Sequence, residues 1–206
     1  RVPNVMLFDV PLHYHLHDAS VSDGNVDLAR LWENTLTASR PDKSVTFVEN
    51  HDTQPGQSLA STVAPWFKAA AYALILFNEV GVPCVFWGDL LGSPESDDLP
   101  AVRELPILMS IRARAAVGPQ HNAFDNPDVV GFAREGKDEV PGSGCAVILS
   151  DRMGAEKTLY VGHRHAGQEW ECVIGGHPSV RVADDGTLTG VVSDGGLSVY
   201  VPRRSE

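Results

Sequence analysis

The sequence has no apolar run of membrane-spanning length, no cluster of basic residues and only three cysteines. A membrane-spanning helix needs about 20 consecutive apolar residues, so no such span is expected. The missing basic cluster, with a net charge of −11, argues against a nucleic-acid partner, because phosphate binding draws on grouped Lys and Arg. An uncharged or cationic ligand suits such a chain better. Cys84, Cys145 and Cys172 are far apart, odd in number, and have no second Cys or His at metal-ligand spacing. They are expected to be buried small hydrophobes, and their odd number leans toward a reducing, cytoplasmic compartment. The opening residues "RVPNVMLFDVPL" hold no charged leader followed by an apolar stretch and a cleavage site, so no signal peptide is expected. With no initiator Met and a strand almost at once, the chain reads as a piece of something longer.

What is present divides near residue 120. In the first part, "NVMLFDVPL", "SVTFVEN" and "VPCVFWGD" are strand candidates. Between and after them, "DLARLWENTL", the run Trp66 to Val80 closed by Gly81, and "AVRELPILMSIRARAAV" carry helical spacing. Strand alternating with helix predicts a parallel sheet with crossovers. After Gly118, short strand-like segments from "DVVGFAREG" to "LSVYVP" are separated by Gly-rich and polar turns. That rhythm predicts an antiparallel sandwich. The acidic stretch "SPESDDLP" reads as a solvated loop.

Three parallel units leave a sheet with two bare edges and are best read as the last three units of an eight-fold barrel. In such a barrel the polar residues at strand C-termini form the active site. Here those ends are Asp9, then Asn50-His51-Asp52, then Asp89, so each strand is expected to bring a carboxylate to one rim. Carboxylates at a barrel mouth suit glycosidic cleavage, where positive charge develops on the sugar and a leaving oxygen needs a proton. A neighbouring His can hydrogen-bond a sugar hydroxyl. Asp52 or Thr53 could instead cap the segment that follows, and Asp9 and Asp89 could simply satisfy backbone N–H groups.

The stretch "FVENHDTQPGQ" resembles the motif at the seventh barrel strand of the alpha-amylases of glycoside hydrolase family 13. "LFDVPLHYHLHDAS", "WFKAAAYALIL", "GVPCVFWGDLLG", "DVVGFAREG", "YVGHRHAG" and "DGGLSVYVPR" are similar, in order, to segments of the bacterial liquefying and fungal intracellular members. The resemblance implies an α/β plus all-β chain. Residues 1–119 would be strands 6 to 8 of a (β/α)8 TIM barrel, and residues 120–206 a C-terminal antiparallel Greek-key β-sandwich. It also implies retaining hydrolysis of internal α-1,4 bonds in starch or glycogen. Asp52 would then be the catalytic transition-state stabiliser, with His51, Asn50 and Trp87 binding substrate. The family's nucleophile and acid/base, which retaining cleavage holds about 5 to 5.5 Å apart, have no counterpart in the sequence. The chain is therefore expected to be inactive without the N-terminal part of its barrel. A transglycosylase of the same family and a non-catalytic glucan-binding relic are the alternatives.

The resemblance further implies Ca²⁺ between barrel and sandwich, held by the carbonyls of Gly24, Val26 and Pro127 and the carboxylates of Asp128 and Asp151. Calcium takes six to eight oxygens that need not be close in sequence; both Asp residues could equally be turn formers. His13, His15 and His17 alternate, which would put them on one face if the segment is extended, a spacing metals can use. Following the first strand, they are expected as rim residues contacting substrate or solvent rather than a zinc site, while His163 and His165 need no role. Trp66 and Trp170 are expected as core or interface anchors, and Trp87 as a platform for a sugar ring.

Overall fold

The computed structural model describes residues 5–92 and 100–203. Nearly all of the "SPESDDLP" stretch, residues 93–99, lies outside the described residues. In the first half, β1 (Leu7–Phe8), β2 (Ser44–Phe47) and β3 (Val82–Cys84) form a parallel sheet in that order. The crossovers carry α1 (Val10–Val21), α2 (Leu36–Ser39) and α3 (Pro65–Phe77), and α4 (Trp87–Leu91) and α5 (Leu105–Arg114) follow β3. From α3, Phe67 and all of Ala70 to Phe77 are buried. This is the helix expected from Trp66, but it ends at Phe77, where Asn78 turns extended, short of Gly81.

Two expectations fail here. The segment holding His13, His15 and His17 is not extended: Asp9 caps it through the Leu12 N–H and Pro11 sits in its first turn, and both favour a helix. "DLARLWENTL" is not one helix either. It breaks into a 3-10 turn, Leu28–Arg30, and the short α2, because Asn34 takes φ +57° and Thr35 is extended with its hydroxyl capping Ala38 N–H.

The second half is antiparallel. β4 (Gln120–Ala123), β5 (Val129–Arg134), β6 (Cys145–Ser150), β7 (Ala155–Tyr160), β8 (Glu169–Ile174), β9 (Val180–Arg181), β10 (Thr187–Val192) and β11 (Leu197–Pro202) follow in sequence. Six of them make one sheet in the order β4-β5-β6-β11-β8-β9, and β7 pairs with β10. Strand alternation divides the central strands between two cores. Val130, Phe132, Cys145, Val147, Leu149, Val199 and Val201 join the helices of the first half in one cluster. Ala133, Ala146, Ile148 and Tyr200 point the other way and pack with Leu159, Trp170 and Leu188. The sheet is thus covered on both faces, which is why "VVGFAR" and "CAVILS" read as nearly unbroken apolar runs.

Buried Arg134 ties the halves together. Its guanidinium donates to the Phe77 carbonyl at 2.9 Å and to the Gly118 carbonyl at 2.7 and 3.0 Å. Trp66 is half-exposed, and its indole N–H donates to the Ser20 carbonyl at 3.0 Å. Trp170 is fully buried in the second core. The three cysteines are free; Cys145 is buried, while Cys84 and Cys172 are only partly so.

Candidate active-site rim

The chain leaves β2 through three buried residues, Phe47, Val48 and Glu49, and then emerges. The Asn50 side-chain oxygen accepts from the Asp52 and Thr53 N–H groups at 2.8 and 3.2 Å, an Asx turn that bends the chain at once. The Thr53 hydroxyl oxygen accepts from Asn50 N–H at 3.1 Å and closes the turn from the other side. Local capping is therefore the work of Asn50 and Thr53. Asp52 is left with its side chain 49% exposed and His51 with 85%, the His51 Nε2 standing 3.3 Å from Asp52 Oδ1. A carboxylate and an imidazole held side by side on a hydrogen-bonded turn can accept from, and donate to, the hydroxyls of a polar ligand.

Asp9 and Asp89 do not share that exposed rim. Asp9 is fully buried and accepts from the Leu36 and Thr37 N–H groups at 3.0 and 2.7 Å and from the Thr37 hydroxyl at 2.6 Å. It joins the start of α1 to the start of α2. Asp89 is buried against Lys68 and Tyr72. A carboxylate just past a strand is as useful for collecting orphaned donors as for chemistry, and at these two positions the donors are present.

The histidines of α1 are also internal fasteners. His13 is buried, with Nδ1 2.7 Å from the Val48 carbonyl and Nε2 2.8 Å from the Ser61 hydroxyl. Burial holds its pKa below the ordinary histidine value, outweighing the Val48 carbonyl. His15 and His17 reach the Leu31 and Thr62 carbonyls, each at 2.9 Å. His165 bonds the Glu135 carbonyl at 2.7 Å in the second half.

Trp87 is 70% exposed at the start of α4, two residues before Asp89. The link from this segment to the Asn50–Asp52 turn runs through residues the sequence reading did not single out: Glu49, Lys68 and Tyr72. One signal was available. Lys68 is a lone charge in the apolar stretch "WFKAAAYALIL", and a buried lysine needs a buried carboxylate.

At the other candidate site, three segments converge. Leu28 N–H donates to the Pro127 carbonyl at 2.8 Å, Asp151 N–H to the Asp128 carbonyl at 3.3 Å, and Arg152 Nη2 to the Asp23 carbonyl at 3.3 Å. Gly24 takes φ +71°, and the Arg152 side chain crosses the space where a Cβ would stand. Asp151 is buried and neither of its carboxylate oxygens has a hydrogen-bond partner. Burial, with Asp128 adding repulsion, pushes its pKa up to about 6. Val26 is packed against the first core and lines a cavity of about 320 Å³ with His15 and Asp27. Among the described residues no group of three or more His, Cys, Asp or Glu side chains could hold a metal, so a cation here would depend on two carboxylates plus backbone carbonyls. An orphaned, buried carboxylate beside a second one fits a hard cation.

Comparison with known proteins gives a consistent picture. No family model matches the sequence. The chain is 43% identical over 204 residues to the alpha-amylase of Bacillus licheniformis, a match covering 97% of this chain and 40% of that protein. It spans about two fifths of the length of the curated relatives it matches. Among solved structures, the alpha-amylase of Malbranchea cinnamomea superposes with a TM-score of 0.67 at 17% identity, over 93% of this chain and 44% of the other. The alpha-amylase I–maltohexaose complex of Eisenia fetida gives 0.66 at 16%, over 94% and 48%. These likenesses carry the fold, part of a TIM barrel followed by an antiparallel β domain. The chain resembles alpha-amylases, which are starch-degrading glycoside hydrolases, along nearly its whole length.

Proposed function

From this relationship to the alpha-amylases, we propose that the chain is the C-terminal part of a retaining endo-acting enzyme that hydrolyses α-1,4-glucosidic bonds in starch or glycogen. β1 to β3 would be barrel strands 6 to 8, residues 120–206 the Greek-key sandwich, and the nucleophile and acid/base would come from an N-terminal part of the same barrel. The carrying observation is the Asn50–Asp52 turn, where a half-exposed carboxylate and an exposed imidazole stand at the end of a buried parallel strand. Asp52 would bind sugar hydroxyls at the cleavage subsite and balance the positive charge of an oxocarbenium-like transition state. His51 would hydrogen-bond the same ring, Asn50 would help to hold Asp52, and Trp87 would stack on a glucose unit. The strand order agrees: among the described residues β1 and β3 each pair with β2 alone, and Leu7, Phe8 and Val82 are exposed on the sheet's faces.

The test is starch hydrolysis. The 206-residue chain alone should show no turnover, and the full-length protein should be active. Asp52→Asn in the full-length protein should lower kcat by about 10²–10³-fold, the usual cost of removing one preorganised charge stabiliser. Turnover by the short chain, or full activity of Asp52→Asn, overturns the reading. Transferred rather than hydrolysed malto-oligosaccharide products would favour the transglycosylase.

We also propose Ca²⁺ at the junction of the halves, with Asp128, Asp151 and the carbonyls of Gly24, Val26 and Pro127 as its oxygens. Its support is Asp151, whose buried oxygens have no other partner.

A further inference from the structure

Behind the exposed turn lies a buried ionic assembly to which the proposed chemistry gives no task. Lys68 Nζ on α3 lies 2.5 Å from Asp89 Oδ1 and 3.7 Å from Glu49 Oε1, with the three side chains only 5%, 2% and 0% exposed. The Tyr72 hydroxyl donates to Asp89 Oδ2 at 2.7 Å. Glu49 collects three more donors: the Thr53 hydroxyl at 2.5 Å, the Gln54 amide at 3.1 Å and the Val63 N–H at 2.6 Å. One ammonium thus serves two carboxylates in a water-poor interior, an arrangement that costs desolvation and is a weak source of stability.

Its placement suggests a use. Glu49 directly precedes the Asn50–Asp52 turn, and the residues it grips, Thr53 and Gln54, directly follow it. Asp89 lies on α4, two residues after Trp87. Lys68 therefore joins the end of β2, just before the turn, to the segment after β3 that carries Trp87. We propose that Lys68 is a positioning residue for the sugar-binding rim: through Glu49 it fixes the turn that presents His51 and Asp52, and through Asp89 it keys that turn to the Trp87 segment. The inference rests on the reading of Asp52 given above.

The chemistry of losing Lys68 is specific. Burial already raises the Glu49 pKa, and without the ammonium two buried carboxylates would share one site, so one would take up a proton. A protonated Glu49 donates where it now only accepts. The Thr53, Gln54 and Val63 donors then compete for fewer lone pairs, and the turn shifts. A displacement of about 1 Å at a reacting group, caused from a distance, can cost about 10²-fold in rate.

The experiment is a mutant cycle in the full-length protein with a malto-oligosaccharide substrate. Lys68→Met should lower kcat by about 10²-fold with a much smaller change in KM, and Lys68→Arg should recover part of the loss. Adding Lys68→Met to Asp52→Asn should cost little more than Asp52→Asn alone, because the two act through one turn. A folded Lys68→Met enzyme with parental kcat, beside an inactive Asp52→Asn, overturns the positioning role and leaves the Asp52 reading standing. A fully active Asp52→Asn overturns the reading itself. If Lys68→Met does not fold, Glu49→Gln decides: it keeps an acceptor for Val63 N–H while removing the charge, and an unchanged kcat overturns the inference.

Discussion

In the antiparallel half every residue of β5 and β6 is buried, whereas both residues of β1 are exposed and so is Val82 at the start of β3. The two sheets belong to one chain, and it is the helices of the first half, not the parallel strands, that share a core with the antiparallel sheet. The central antiparallel sheet has the helices of the first half on one face and the β7–β10 pair on the other. The parallel sheet buries β2 but leaves its two outer strands with apolar side chains facing outward. Parallel sheets are stable when covered on both faces and flanked on both edges. The difference lies in cover: the antiparallel strands have it on both faces, and β1 does not.

The largest effect that separates the halves should come from aromatic truncation. Trp170→Ala removes a fully buried indole and should cost about 3–5 kcal/mol. Phe8 is 50% exposed, and Phe8→Ala in this chain should cost about 1 kcal/mol or less. Urea denaturation of the two variants measures the contrast. In a chain carrying the proposed N-terminal part of the barrel the cost at Phe8 should rise toward the core value, and equal costs in both settings would mean that nothing covers β1.

How legible each half was follows the same division. Seven of the antiparallel strands were readable because turns punctuate them, and β5 and β6 also because their runs are apolar on both faces; the polar β4, "QHNA", gave no such signal and was missed. The parallel half was less so: its strands are short, and α1 was missed because its three histidines and Pro11 resemble an extended rim segment. What makes that segment a helix is the Asp9 cap, together with carbonyl partners for His13 and His15 that lie 35 and 16 residues away in the chain. Long-range partners leave no local signal. The turn at Asn50–Asp52 was visible as polar residues ending an apolar strand, but its buried support was not, apart from the isolated Lys68. Asp9 and Asp89 show the limit of the pattern, since a carboxylate after a strand looks the same whether it faces a ligand or a row of backbone donors.

The proposed cation site offers a second, intermediate test, because its residues lie where the halves meet. Calcium at about 100 times its dissociation constant should add about 2.7 kcal/mol to stability. A chelator should remove that increment, and Asp151→Asn should abolish the response. With calcium the two halves should melt as one unit; in chelator the parallel half, with its open edges, should melt first. Identical melting with and without calcium would remove the metal from the junction and leave Arg134 as the tie between the halves.

The smallest effect expected is a pH dependence confined to the parallel half. Burial lowers the pKa of His13, so the unfolded chain binds a proton at this residue more readily than the folded one. The contribution is therefore fully present above the unfolded value near 6.5 and is lost as pH falls below it toward the folded value, with a slope of at most about 1.4 kcal/mol per pH unit. Burial opposes the charged form even though the Val48 carbonyl, which ties α1 to the end of β2, favours it. Protonation should therefore loosen the parallel half before the sandwich. Hydrogen exchange at pH 7 and pH 5 measures this: amides of α1 and β2 should lose protection at the lower pH while those of β5 and β6 keep theirs. His13→Gln should flatten the difference. Equal loss across both halves would instead mean that the shared core couples them so tightly that the open edges of the parallel sheet do not set its stability.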